Sequence, residues 1–374
     1  MKKVLILQLL GNSYGGIWQV NKLVGEALIR NGYEVRILNL RDNKTDFRAE
    51  HDKKILIDTI NKHDDWDYPL KSDVLKLKIS ILKYFKRMNK VKNDYKDMSQ
   101  YIRDFTPDYI IVSHYLLLNA IPDEYLKKTI YQQHSSADYA FSQKGNKNTL
   151  LKFNNKVRFL WLSKASCDKA KKNGLNNCYY IYNAVRFESS KRADVIKNKK
   201  LVTIARLSYE KRIDLMIEMV NEVFTNNDEL KDWTLDIYGS GDLESKLKKM
   251  NYDKNRIKFM GITNNPKKVL MNSSINLNTS LFEGFSLSIL EANECGIPTI
   301  SFNFGESVQE QILNNKTGFI VNDEFEYKEK LLSLMTDNKK LNEMSIECKK
   351  YNEMFKIDKL INDWLDLFYD IDHK

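Results

Sequence analysis

Proline is scarce, five residues in 374, and cysteine scarcer still: Cys167, Cys178, Cys295 and Cys348 are scattered with no C-x-x-C pair. That spacing excludes a disulfide framework and a structural zinc site, and makes a reducing cytoplasm the expected compartment. Few prolines beside 11% aromatic residues exclude a collagenous or low-complexity chain. A mean hydropathy of −0.52 with 29% charged residues excludes an integral membrane protein. What is present is 42% hydrophobic residues, enough to bury a sizeable core divided between two domains and to exclude disorder. The formal charge of +10 calls for an anionic partner: nucleic acid, an anionic membrane surface or a phosphorylated small molecule.

The start, Met1-Lys2-Lys3 before the apolar run 4–10, imitates a secretion signal. It lacks a small-x-small cleavage site and leads into Gly11-Asn12-Ser13-Tyr14-Gly15-Gly16, as a buried first strand entering a phosphate loop would. From there short β-branched runs alternate with amphipathic stretches, the pattern of βα units and parallel sheets. Strands are expected at 4–9, 34–40, 109–112, 128–132, 157–162 and 179–181. A polar stretch from Glu188 to Lys200 reads as a linker. A second series follows at 201–205, 234–238, 257–260, 275–278, 299–302 and 318–321. Two successive Rossmann-like α/β domains with a ligand cleft between them are the expected architecture.

Chemistry concentrates in Leu281-Phe282-Glu283-Gly284-Phe285-Ser286-Leu287-Ser288-Ile289-Leu290-Glu291-Ala292. A strand ends there, and a glycine turn presents the amides of Ser286, Leu287 and Ser288 at a helix start, an anion site. Glu283 and Glu291 form a Glu-x7-Glu pair whose carboxylates can accept from sugar or ribose hydroxyls. The segment resembles the donor-binding motif of the retaining glycosyltransferases of family 4, which have the GT-B fold of two facing Rossmann-like domains. The resemblance implies that Glu283 contacts the donor sugar and Glu291 the ribose, with Phe285 in the same segment. Ser286 stands where the family has its second glycine, which bears on donor preference.

Arg206-Leu207-Ser208-Tyr209-Glu210-Lys211-Arg212 follows a strand, and its loop lets Arg206 and Lys211 reach one polyanion. It resembles the family pattern Arg-Leu-x-x-x-Lys-Gly, so Arg206 and Lys211 would clamp the diphosphate; Arg212 replaces the usual glycine. Gly15 and Gly16 do not form a Gly-x-Gly-x-x-Gly fingerprint, which argues against an NAD enzyme, but they allow close backbone approach to a phosphate or sugar. The family carries such a pair facing the donor, and Gly239-Ser240-Gly241 resembles its second glycine turn. His134 should lie at a strand's carboxyl end, where many family members have a histidine beside the donor sugar; His114 is placed comparably.

Asp65-Trp66-Asp67 imitates a metal motif, but it sits in a polar turn with no strand before it, and no metal or cofactor is expected. The basic segment 71–92 has the makings of a helix that lies on an anionic bilayer, or equally of a solvated face. With the resemblance, the expected domains are 1–187 on the acceptor side, 188–355 on the donor side, and a terminal helix at 356–374 crossing back to the first. The expected activity is a metal-independent, retaining transfer from a nucleotide-diphosphate sugar, foremost a UDP-sugar, to a surface glycan, teichoic-type or lipid-linked acceptor. An anionic membrane surface is a further expected partner, nucleic acid is not, and the location is cytoplasmic or on the inner membrane face. The competing readings are a sugar-nucleotide epimerase or phosphorylase, and a catalytically silent partner of an active transferase.

Overall fold

The computed structural model describes residues 1–10, 15–41, 54–61 and 81–373, backbone alone at 61, 81–87 and 306. Asp65, Asp67 and the basic segment up to residue 80 lie outside the described residues. Two compact units emerge: Met1–Ile181 with Ile361–Lys374, and Tyr182–Leu360.

The first unit carries β1 (Lys3–Leu10), β2 (Glu34–Arg41), β3 (Leu56–Asn61), β4 (Tyr109–Val112), β5 (Thr129–Gln133), β6 (Arg158–Trp161) and β7 (Cys178–Tyr180). They pair in the order β3-β2-β1-β4-β5-β6-β7, all parallel. Strands covered on both faces read as apolar runs rather than alternations, and Val4, Leu5, Ile6 and Leu7 are fully buried. β3 is absent from the sequence expectation. Its Lys-Lys-Ile-Leu-Ile-Asp-Thr-Ile context is short and charged at its start, and as an edge strand it keeps Leu56 half exposed. The helix Ile81–Phe105 runs well past residue 92, burying Val91, Met98 and Ile102.

The second unit carries β8 (Lys200–Ile204), β9 (Thr234–Tyr238), β10 (Ile257–Gly261), β11 (Ile275–Asn278), β12 (Thr299–Phe302) and β13 (Gly318–Val321), ordered β10-β9-β8-β11-β12-β13 and again parallel. The stretch read as a linker packs here instead. Ala193 and Val195 are buried in this unit's core, beside Leu201 and Ile297, so the division falls earlier, between Ile181 and Tyr182.

The last helix, Ile357–His373, buries Leu360, Ile361, Trp364, Leu367 and Phe368, the spacing of one helical face. From Ile361 onward it belongs to the first unit. Phe368 stacks on Tyr109 with centroids 4.0 Å apart, and the Tyr109 hydroxyl donates to Asp372 at 2.7 Å, which also pairs with Lys2. Among the described residues no helix is long and apolar enough to cross a membrane.

Candidate functional site

In each sheet the strand order reverses beside the first strand, between β1 and β4 and between β8 and β11. Loops leaving such a pair diverge and open a crevice at the strands' carboxyl ends. In the second unit these loops carry Arg206 to Arg212 after β8 and Thr279 to Ser286 after β11.

Three bonds lash the loops together. The Thr279 hydroxyl donates to the carbonyls of Lys211, at 2.7 Å, and Arg212, at 3.0 Å, and the Leu281 amide donates to the Glu210 carbonyl at 2.8 Å. So fixed, Lys211 Nζ meets Glu283 Oε1, which also accepts from the Ser280 hydroxyl at 2.8 Å. Both partners keep about one-sixth of their side-chain surface open (16% and 15%), so the pair is sheltered yet reachable. Arg206 is different. Its side chain is 75% exposed and among the described residues bridges only Glu210, at 3.0 Å, so solvent weakens that contact and leaves the guanidinium free to reorient.

Arg212 stands in the left-handed conformation, φ +49°. That is the physical reason a glycine suits this position, because a Cβ costs about 1 kcal/mol or more there. The Thr279 bond to its carbonyl holds the conformation, and the guanidinium lies over the Phe302 ring at 5.3 Å.

Gly239 and Gly241 have a packing role. A Cβ on Gly239 would sit 1.8 Å from the Ala205 carbonyl oxygen, and one on Gly241 2.4 Å from that of Leu207. The two turns run against each other, joined by Ala205 N–H to Tyr238 O at 3.0 Å and Leu207 N–H to Ser240 O at 2.9 Å. These glycines thereby set where Arg206 starts.

The 284–291 segment departs from expectation at three points. The Ser286 amide, expected to face an anion, donates to Gln311 Oε1 at 2.9 Å, while Gln311 Nε2 donates to the Ser286 carbonyl at 2.8 Å. Gln311 is fully buried, so this clamp removes the Ser286 amide from the expected set of three and leaves those of Leu287 and Ser288 without a hydrogen bond among the described residues. The Ser286 and Ser288 hydroxyls lie 3.1 Å apart. Phe285 is buried, stacked on Tyr182 at 5.2 Å, and its carbonyl accepts from Asn183 at 3.1 Å; its ring braces the turn. Glu291 is only 1% exposed and is ion-paired with Arg186 Nε. Burial disfavours the Arg186 charge, but the adjoining carboxylate more than offsets this and lifts its pKa above the ordinary value. Neither Arg186 nor Gln311 stands out in the sequence. Arg186 lies 105 residues before its partner, and no local spacing points across that interval.

In the first unit, Gly15 caps the helix Gly16–Arg30 in extended conformation, φ −65°, with no side-chain cap bond. Asn21, one turn in, donates to Gln8 at 2.7 Å and Ser113 at 2.9 Å, a buried cluster that fixes this helix start over β1 and β4. His114 follows β4, stacks on Tyr115 at 4.7 Å, and its Nδ1 accepts from the Leu116 amide at 3.3 Å. Burial holds its pKa down at about 4. His134 follows β5 with Nε2 enclosed and, among the described residues, without a hydrogen-bond partner. Burial, and then the neighbouring His114, hold it at about 3. Both imidazoles are neutral near pH 7.

The second unit thus gathers two cations, an accessible carboxylate and two open helix-start amides, a set fit to bind a polyanion that also carries hydroxyls. Residues 186–351 match the family model of glycosyl transferases group 1. Over nearly its whole length the chain is 27% identical to an uncharacterized glycosyltransferase of Haemophilus influenzae, covering 97% of this chain and 99% of that one. It is also 27% identical to the poly(ribitol-phosphate) alpha-N-acetylglucosaminyltransferase of Staphylococcus aureus, over 52% of this chain and only 40% of that enzyme's length. Among solved structures, an S. aureus TarM variant in complex with fondaparinux, alpha-GlcNAc-glycerol and UDP superposes with a TM-score of 0.79 at 15% identity, covering 98% of this chain and 100% of that one. That likeness shows the fold, two parallel-sheet Rossmann-like domains of the GT-B type.

Proposed function

We propose that this protein is a retaining, metal-independent glycosyltransferase that moves a sugar from a UDP-sugar to a teichoic-type, lipid-linked or other cell-surface glycan acceptor. The observation that carries the reading is the Lys211–Glu283 pair, sheltered between the β8 and β11 loops with Arg206 and the Leu287 and Ser288 amides nearby. The match to the glycosyl transferases group 1 model and the UDP in the TarM complex support it.

In this reading the diphosphate draws Lys211 Nζ from Glu283, and Arg206 swings onto the same anion. Their charges oppose the negative charge that grows as the sugar's bond to the diphosphate breaks. Glu283, released on one side and still held by Ser280, accepts from sugar hydroxyls and fixes the ring. Positioning and electrostatics then carry the chemistry. A leaving diphosphate oxygen takes the acceptor's proton on the face it has just vacated, which gives an α-linkage. The basic segment 71–92 is assigned to an anionic membrane surface, which would place the enzyme on the inner face.

The test is nucleotide release from UDP-GlcNAc, UDP-glucose and UDP-galactose by purified protein with membrane extract. Acceptor-dependent release that survives EDTA, with an α-linked product by NMR, is expected. No release from any donor overturns the transferase reading; loss in EDTA restored by Mn²⁺ overturns metal independence; a β-linked product overturns retention.

A further inference from the structure

A second cavity of about 580 Å³ opens in the same unit, sharing Ser280 with the surround of the Lys211–Glu283 pair. Its wall includes Arg212, Phe302, Asn303, Asn322, Asp323 and Phe325. Three features set it apart from an ordinary surface hollow. Phe325 is 76% exposed, in the first turn of the helix Glu324–Thr336, and stacks on no other ring among the described residues. Water contact makes an isolated exposed ring unfavourable, and a flat apolar ligand face would relieve it. The Arg212 guanidinium, backed by the Phe302 ring, makes no hydrogen bond or ion pair among the described residues, although it offers five donors. The chain also keeps this side chain in a left-handed conformation that glycine would adopt without cost. Asp323 and the two asparagines bring acceptors and amide donors, with the asparagines linked to each other at 3.3 Å.

We propose that this cavity is a saccharide-binding subsite that takes a neutral sugar unit, distinct from the donor site. A sugar ring has an apolar face for Phe325 and vicinal hydroxyls for Arg212, Asn303, Asn322 and Asp323. An anionic ligand fits less well, since Asp323 and the neighbouring Glu324 outnumber Arg212 in charge. The proposal does not depend on which donor the enzyme uses, or on its being a transferase.

The experiment is saturation-transfer NMR of the full chain with N-acetylglucosamine, glucose and glycerol 3-phosphate, with and without saturating UDP. UDP binding, measured separately, reports on the site proposed above. At least one neutral sugar should show transfer that persists with UDP present, and Phe325→Ala should weaken it about tenfold. Arg212→Gly, which suits the backbone there, should do likewise while UDP still binds. The idea is overturned if no neutral sugar shows transfer, if transfer is unchanged in both variants, or if glycerol 3-phosphate alone binds. If UDP fails to bind while a neutral sugar does, the donor assignment falls and the subsite stands.

Discussion

The candidate site groups of the two units differ in kind. In the second, Lys211 pairs with Glu283 and Arg186 with Glu291; both cations keep some surface open, and of the two carboxylates only Glu291 is enclosed. In the first, His114 and His134 are enclosed and neutral, and His134 Nε2 has no partner among the described residues. The difference teaches where each unit can respond. A charged pair can exchange one partner for an incoming anion, whereas an enclosed neutral imidazole offers one donor and one acceptor and resists protonation. Within the second unit the carboxylates separate the two pairs: Glu283 keeps an open edge, whereas Glu291 is enclosed behind Arg186.

The sharpest way to break this comparison is Arg186→Met. It leaves Glu291 buried with no counter-charge, and a loss of about 3–5 kcal/mol in chemical denaturation is expected. A loss below about 1 kcal/mol, on the scale of exposed pairs, would mean that Glu291 is reachable by ligand after all. Lys211→Ala comes next. It should reduce UDP-sugar turnover on the order of a hundredfold with the melting transition intact, and Arg206→Ala should also reduce it. Near-normal turnover in both folded variants removes the diphosphate clamp.

Acid sensitivity tests the first unit. The unfolded imidazoles titrate near 6.5 and the folded ones near 4 and 3, so below pH 6.5 protons bind the unfolded chain preferentially. Stability is therefore whole above that pH and falls as pH drops toward the folded values, by roughly 2 kcal/mol per imidazole at pH 5. His114→Gln combined with His134→Gln should flatten that part of the stability profile. An unflattened profile would place the acid loss elsewhere.

The smallest effect is at Arg212. Replacement by Gly relieves the left-handed backbone but adds unfolded-chain entropy and removes the Phe302 contact, so stability should stay within about 1 kcal/mol. Arg212→Val, β-branched at positive φ, should cost more. Equal melting temperatures for the two would mean the loop relaxes out of that conformation.

Much of the fold is legible in the amino-acid order. The segments expected as strands at 234–238, 275–278, 299–302 and 318–321 coincide with β9, β11, β12 and β13: apolar residues such as Leu235, Ile237, Leu277 and Ile300 recur in short stretches of strand length, although buried polar residues such as Asp236, Asn276 and Ser301 interleave with them. β3 escapes because an edge strand has one flank unpaired and tolerates polar neighbours. The 188–200 stretch misleads because its polarity is real, while its anchoring apolar residues, Ala193 and Val195, are single.

At the candidate site, Arg206, Lys211 and Glu283 could be picked out from the sequence because short motifs place them in loops after strands, where ligand groups collect in parallel sheets, and Glu291 because it stands eight residues after Glu283. Their condition was decided by tertiary structure alone. Whether a carboxylate is open or enclosed depends on what another loop delivers to it, and Arg186 reaches Glu291 from a distant part of the chain. The same holds for the Ser286 amide, which Gln311 claims, for Gly239 and Gly241, which a neighbouring turn requires to be small, and for Arg212, whose strain is visible only as a dihedral angle. Local order specifies periodicity and turn chemistry, since these act over a few residues; partner, exposure and protonation state arise from contacts that exist only once the sheets have assembled.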